Sequence, residues 1–142
     1  MPPPALLFLA SATVIGVLGS IHMLYTFYGN KLHPSDAATM QAMQHSHPVL
    51  TRETTVWKAT VGFNASHSLG AMLFALVFGY LAGWQWPLLQ ASWFLQGLGL
   101  ATLMVYWALA RRYWFSIPRR GIVLTCALFA AGLVAIWMPV GV

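Results

Sequence analysis

The chain has 142 residues, of which 59% are hydrophobic and 6% are charged, whereas an ordinary soluble domain has about 25% charged residues. Seven basic and two acidic side chains are too few to cover a water-soluble fold of this length, so we expect lipid to surround much of the chain. The basic residues lie in two short windows between apolar runs and form no stripe along a soluble face, which argues against nucleic-acid binding.

Four apolar segments of about 20 residues each predict four membrane-spanning helices. The first follows a run of prolines, the second begins at a cap at Thr51, the third follows a tryptophan-rich turn, and the fourth follows Pro118. The predicted helices cover about residues 5–28, 51–82, 88–110 and 120–138. We therefore predict an all-α fold, a four-transmembrane-helix bundle of up-down-up-down topology, as a single integral membrane domain over residues 1–142.

The connection between the first two helices is the longest polar stretch of the chain. Residues 33–36 predict a turn that caps a short helix, Ala37–Gln44, which ends before Pro48. Met40 and Met43 share one face of this helix. We expect a short cytoplasmic amphipathic helix that lies along the membrane surface.

The positions of the charges predict the orientation of the helices. Every Lys and Arg belongs to the window around the first connection or the one around the third, while the termini and the tryptophan-rich turn have none. By the positive-inside rule, both charged connections lie in the cytoplasm and both termini lie outside it. The sequence thus predicts a multi-pass protein of the cell inner (plasma) membrane.

Small residues recur every fourth position on the first two spanning helices. Such stripes let helix backbones approach closely, so they predict that these helices form a tight antiparallel pair. The stripes are Ala12, Gly16 and Ser20 on the first helix and Gly62, Ser66 and Gly70 on the second.

Polar side chains within these two helices are the first candidates for a functional site, because polar groups are costly in lipid. His22 precedes Lys31 by nine residues, and His67 follows Lys58 by nine. At 1.5 Å per residue, both imidazoles are expected roughly 13 Å inward from the cytoplasmic edge. Counting instead from the last aromatic and first apolar residue offsets the two by about two turns. The predicted ligand or cofactor residues are His22, Tyr25, Thr26, Asn64, His67 and Ser68.

Three interpretations of this group remain open at this point. The histidines could form hydrogen bonds that specify helix pairing. They could instead ligate a haem iron or a transition metal. In the third interpretation, His67 and Asn64 act as an acid–base pair on a lipid-like substrate.

Two further groups are candidates for binding. Thioether and imidazole ligands suit copper, which makes the first connection a candidate metal site; incidental residues of an amphipathic helix are the alternative. Basic residues around the third connection suit lipid headgroups, although they could serve only as the topology anchor. The metal candidates are Met40, Met43, His45 and His47, and the headgroup candidates are Arg111, Arg112, Arg119 and Arg120.

The sequence contains no nucleotide-binding loop, no Ser–His–Asp set and no Cys-x-x-Cys pair, which favours a protein that is not an enzyme. We expect an accessory or structural subunit of a membrane assembly, or a binder of an apolar ligand. The alternatives are a haem- or metal-binding protein that uses His22 and His67, or an enzyme acting on a lipid-like substrate. The expected partners are membrane lipids and other membrane protein subunits.

Three stretches carry a resemblance to known sequences: residues 24–27 with Gly29 and Leu32, residues 50–55, and residues 62–70. Together they resemble an uncharacterised family of small bacterial four-helix integral membrane proteins. The resemblance covers roughly the first 85 residues. It implies the membrane class and draws attention to the histidine within residues 62–70, but it implies no catalytic role.

Overall fold

The computed structural model describes residues 1–138. Their regular secondary structure consists of helices alone, with no strand. Helices α1, α3, α5 and α6 are long and apolar enough to span a membrane. The short helix α2 lies between α1 and α3, and a second short helix, α4, precedes α5. This confirms the predicted fold class. The helices are α1 (Pro3–Phe27), α2 (Ala37–His45), α3 (Val56–Trp84), α4 (Trp86–Ala91), α5 (Trp93–Tyr113) and α6 (Ser116–Trp137).

The start of α3 differs from the predicted one. The hydroxyl of Thr55 accepts a hydrogen bond from the backbone N–H of Lys58 at 3.3 Å, so Thr55 caps a helix that begins at Val56. The hydroxyl of Thr51 instead accepts the N–H of Glu53 at 3.1 Å within the preceding turn. The prediction that Thr51 caps the helix was therefore wrong, because a second threonine stands closer to the apolar run.

The predicted third helix is divided into α4 and α5. Ser92 interrupts it and caps α5, since its hydroxyl accepts the N–H of Leu95 at 3.2 Å. The break leaves carbonyls at the end of α4 without partners in that helix. The side-chain amide of Gln96 donates to two of them, the carbonyls of Leu89 at 3.0 Å and Gln90 at 2.9 Å.

Gln96 also connects α5 with the end of α6. Its side-chain oxygen accepts a hydrogen bond from the indole N–H of Trp137 at 3.0 Å. The ring of Trp137 stacks on Trp93, with 3.8 Å between the ring centroids. Gln96 is only 3% exposed, and both ends of its amide have partners, so its burial carries no unpaired polar group.

The connection between α5 and α6 is shorter than predicted. Only Trp114 and Phe115 separate the two helices. Arg111 and Arg112 lie in the last turn of α5, and the other two predicted headgroup arginines lie near the start of α6. Arginine has a good helix propensity, and its long stem lets the charge reach water from a helical position.

The chain forms two compact units, each of which is described by itself. The core unit comprises Met1–Leu18 and Ala71–Val142, of which residues up to 138 are described. The histidine unit comprises Gly19–Gly70.

The core unit is organised around phenylalanine rings packed against glycines. Phe8 meets Phe129 edge to face at 4.6 Å between ring centroids, and Phe78 meets Phe129 at 5.5 Å. The rings fit because the facing helices carry glycine. A β-carbon at Gly99 would lie 2.7 Å from the ring of Phe78, and one at Gly132 would lie 2.7 Å from the ring of Phe8.

Within the core unit, α1 and α3 approach closely through small residues. A β-carbon at Gly16 would lie 2.9 Å from the β-carbon of Ala75, and one at Gly79 would lie 3.8 Å from the β-carbon of Ala12. Ala12 thus faces Gly79 while Gly16 faces Ala75, so the two segments run antiparallel. The predicted close antiparallel pair is present here.

The prediction that the Gly62, Ser66 and Gly70 stripe packs against the first helix was wrong. Gly62, Ser66 and Gly70 are exposed, and no atom lies within 4 Å of a β-carbon built on Gly62. Small residues therefore occur at this spacing on two faces of α3. Ala75 and Gly79 lie on the face that packs against α1.

A glycine pair on α5 tests the packing of the core unit. We expect Gly99→Ala to lower the free energy of unfolding by about 1–3 kcal/mol, because its methyl group would overlap buried phenylalanine rings. Gly97→Ala is the matched control, since the space around this exposed glycine is open. It should be neutral or stabilising by up to about 1 kcal/mol. Thermal unfolding in detergent measures both; equal melting temperatures would contradict the expected packing.

Candidate functional site

The structure brings His22 of α1 and His67 of α3 together in the histidine unit. Their ring centroids are 5.5 Å apart, and the ring planes are nearly perpendicular at 86°. Both side chains are half-buried. Two imidazoles from different helices thus face one another within apolar, membrane-spanning segments.

His22 carries the one orphaned side-chain atom found in residues 1–138. Its Nε2 is buried and has no hydrogen-bond partner. A buried polar atom without a partner costs about 1–3 kcal/mol, and native structures contain few of them. An atom of this kind therefore requires a physical explanation, such as a ligand.

The hydroxyls of Thr26 and Ser68 donate to backbone carbonyls. Thr26 donates to the backbone carbonyl of His22 at 2.8 Å, and Ser68 donates to the carbonyl of Asn64 at 2.8 Å. Both bonds run one turn back along the same helix, as is common for hydroxyls in apolar helices. Asn64 is half-buried and Ser68 is buried.

Tyr25 pairs with a basic side chain near the end of α1. It is exposed, and the Nζ atom of Lys31 lies 5.4 Å from its ring centroid. This distance allows a cation–π contact. The pair belongs to the end of α1, where aromatic and basic residues are expected at the membrane border.

The predicted copper candidates occupy α2 and the segment after it. The Nδ1 atom of His45 lies 2.8 Å from the carbonyl of Gln41, and that of His47 lies 2.7 Å from the carbonyl of Thr54. Each ring therefore donates from Nδ1 to the backbone. No three His, Cys, Asp or Glu side chains gather into a metal-binding group within residues 1–138.

Helix α2 is held by its cap. The carboxylate of Asp36 accepts hydrogen bonds from the backbone N–H of Thr39 at 2.7 Å and from its hydroxyl at 2.6 Å. Both bonds favour the ionised carboxylate and so lower the pKa of Asp36, and the bond from the Thr39 hydroxyl has the larger effect. Met40 and Met43 are the half-buried residues of this otherwise exposed helix, as expected for its amphipathic face. The predicted short helix and its cap are present.

Three of the four predicted headgroup arginines line one cavity. Arg111 of α5 and Arg119 and Arg120 of α6 surround a volume of about 420 Å³ together with Trp107 and Val123. Arg112 does not line it. Trp107 was missed in the sequence, although its spacing of four residues from Arg111 on a helix indicates that the two side chains are neighbours.

Comparison with known proteins assigns no family. No protein-family model, curated protein or solved structure matches the chain. Function must therefore be inferred from the geometry.

The cap of α2 makes a pH-dependent prediction. Because the folded pKa of Asp36 is lowered, its stabilisation of α2 is present above the unfolded pKa of about 3.9 and is lost as the pH falls through the folded value. We expect the helical ¹³Cα shifts of Thr39 and Met40 to decline below about pH 4.

Asp36→Asn is the matched variant, because asparagine caps a helix without titrating in this range. Its α2 should stay helical through the same titration, while Asp36→Ala should weaken the first turn at every pH. NMR in detergent micelles measures the shifts. Identical acid responses in the wild type and Asp36→Asn would contradict this role for the carboxylate.

Proposed function

We propose that this multi-pass membrane protein binds a metal centre inside the bilayer, with His22 and His67 as ligands. The observation that carries the proposal is the pairing of the two rings at 5.5 Å, together with the buried, unpartnered Nε2 atom of His22. Neutral imidazole is a common ligand of zinc, copper and iron. A metal bonded to the Nε2 atom of His22 would give this nitrogen the partner that it lacks.

The spacing of the rings fits one shared metal. Imidazole nitrogens bind transition metals at about 2.0–2.1 Å, so two ligand nitrogens on one metal lie within about 4 Å of each other. Ring centroids 5.5 Å apart leave room for a bent arrangement around a small ion. His22 and His67 would be the protein ligands if the group were a haem iron.

Two imidazoles supply only part of a coordination sphere. A haem would supply the other ligands of its iron itself, so the two histidines would suffice to hold it. A copper or zinc ion would take further ligands from water or from another molecule. Both centres use the same imidazole chemistry, and their absorption spectra distinguish them.

The apolar surroundings suit a metal centre of this kind. The segments of α1 and α3 that hold the histidines belong to membrane-spanning helices, so bulk water is kept away. A hydrophobic shell controls solvent access and tunes the reduction potential of a metal. An electron carrier or a redox sensor is a role that such a site supports.

A second candidate function is that of an accessory subunit in a membrane assembly. The exposed small residues Gly62, Ser66 and Gly70 on α3 favour it, since such a face allows close approach of another helix. Co-purification with other membrane proteins would support this candidate. The enzyme hypothesis for His67 and Asn64 stays a prediction.

Histidine variants test the metal proposal. We expect the protein purified in mild detergent from haem- and metal-supplemented cells to contain close to one metal per chain, measured by elemental analysis and absorption spectroscopy. A Soret band identifies haem. His22→Ala and His67→Ala should each lose the metal, because either leaves a single imidazole ligand.

His45→Ala and His47→Ala are the matched controls, since their Nδ1 atoms already bond backbone carbonyls. Both should retain the full metal content. A metal-free wild type from supplemented cells would refute the proposal. Loss in the control variants alone would instead assign the metal to the connection between α1 and α3.

The orientation is a further part of the proposal, with both termini outside the cytoplasm and both basic regions inside. Single cysteines in a Cys126→Ser background test it. A membrane-impermeant thiol reagent should label Gln85→Cys, which is placed after α3, on intact cells. It should label Gln44→Cys of α2 only after permeabilisation. The reverse pattern would invert the orientation.

A further inference from the structure

The end of α5 and the start of α6 form a cavity that concentrates positive charge. Because only two residues connect the helices, the last turn of α5 lies beside the first turns of α6. Arg111, Arg119 and Arg120 line the cavity of about 420 Å³ that results. The three arginines are exposed and do not belong to the phenylalanine core.

The core unit supplies no acidic side chain to balance these charges. The only acids of the chain are Asp36 and Glu53, and both belong to the histidine unit. The three arginines are exposed, so water weakens the repulsion between their like charges without balancing them. An anionic ligand would remove this repulsion.

The N-terminus of α6 also favours an anion at this cavity. Arg119 and Arg120 lie near the N-terminus of α6, where the helix dipole disfavours cations and favours anions. The N-cap residue, Phe115, makes no side-chain capping bond to the first turn. Dipole and guanidinium groups therefore both favour a negative charge in the cavity.

The remaining wall is apolar. Trp107 and Val123 lie on the membrane-spanning helices α5 and α6. The guanidinium of Arg111 lies 5.6 Å from the centroid of the Trp107 ring, a cation–π contact that holds the arginine at the cavity. A ligand that matches both walls carries an anionic head and an apolar chain.

We propose that this cavity binds the phosphate of an anionic phospholipid. The three arginines provide forked donors to phosphate oxygens, and an acyl chain lies along Trp107 and Val123. The site differs from a general attraction of basic residues to an anionic membrane. A general attraction treats all four arginines of this region alike, whereas the cavity contains three and leaves out Arg112.

Arginine variants distinguish the two cases. Wild type and variants, purified in a non-ionic detergent, are titrated with short-chain phosphatidylglycerol, and native mass spectrometry measures the bound fraction. Arg111→Gln, Arg119→Gln and Arg120→Gln should each weaken binding about tenfold or more, as expected for loss of a charge-assisted hydrogen bond. Arg112→Gln, the matched control, should change it by no more than about fivefold, the effect of one basic residue near an anionic surface.

Three results would overturn the proposal. Equal losses in all four variants would indicate general surface attraction. Equal binding of phosphatidylcholine would show that a net negative headgroup is not selected. Displacement of the lipid by inorganic phosphate at a similar concentration would show that the apolar wall has no part.

A conservative variant separates binding from folding. Arg119→Lys keeps the charge and removes the fork, so it should weaken binding less than Arg119→Gln. Size-exclusion chromatography and thermal melting show whether each variant is folded. Melting temperatures equal to wild type together with unchanged lipid binding in all three cavity variants would refute the site.

Discussion

The cost of an unsatisfied polar group in hydrocarbon is the constraint on which this structure depends. It requires helices for every spanning segment, and it also governs the side chains. Most hydroxyls inside the spanning helices donate to the carbonyl four residues back, so they need no tertiary partner. The residues that do so are Thr13, Thr26, Thr60, Ser68, Thr102 and Thr125. Longer polar side chains have to find partners between helices instead, as the amide of Gln96 does.

In lipid, close packing rather than a hydrophobic driving force stabilises the association of helices. Association of spanning helices depends on van der Waals contact and on a few interhelical hydrogen bonds. In the core unit, glycines on α5 and α6 receive phenylalanine rings, and Ala12 and Gly16 lie against Ala75 and Gly79. One buried bond, from the hydroxyl of Ser11 to the carbonyl of Thr125 at 2.9 Å, connects α1 with α6. Shape complementarity therefore selects which helix faces meet.

The two candidate sites are places where a polar or charged group lacks a partner within the protein. The Nε2 atom of His22 is buried without a partner, and three exposed arginines line a cavity in a unit that has no acidic side chain. The first leaves a polar atom unpaired, and the second leaves like charges unbalanced. A metal would remove the first, and a phosphate would remove the second. The two proposals rest on separate observations, and neither requires the other.

The sequence alone determined the number of spanning helices, the short helix behind Asp36 and the residue types at both sites, because hydrophobic length, capping and charge placement are local properties. Counting from the lysines places His22 and His67 at one depth, whereas counting from the aromatic and apolar ends offsets them, so the sequence left their contact open. The tertiary structure decided which small-residue face of α3 packs against α1, where Ser92 divides a helix, and that Arg112 lies outside the cavity. Those outcomes depend on the shapes of surfaces from distant segments. Residue spacing along one helix identifies a face, but the partner that covers it is chosen only when the helices pack together.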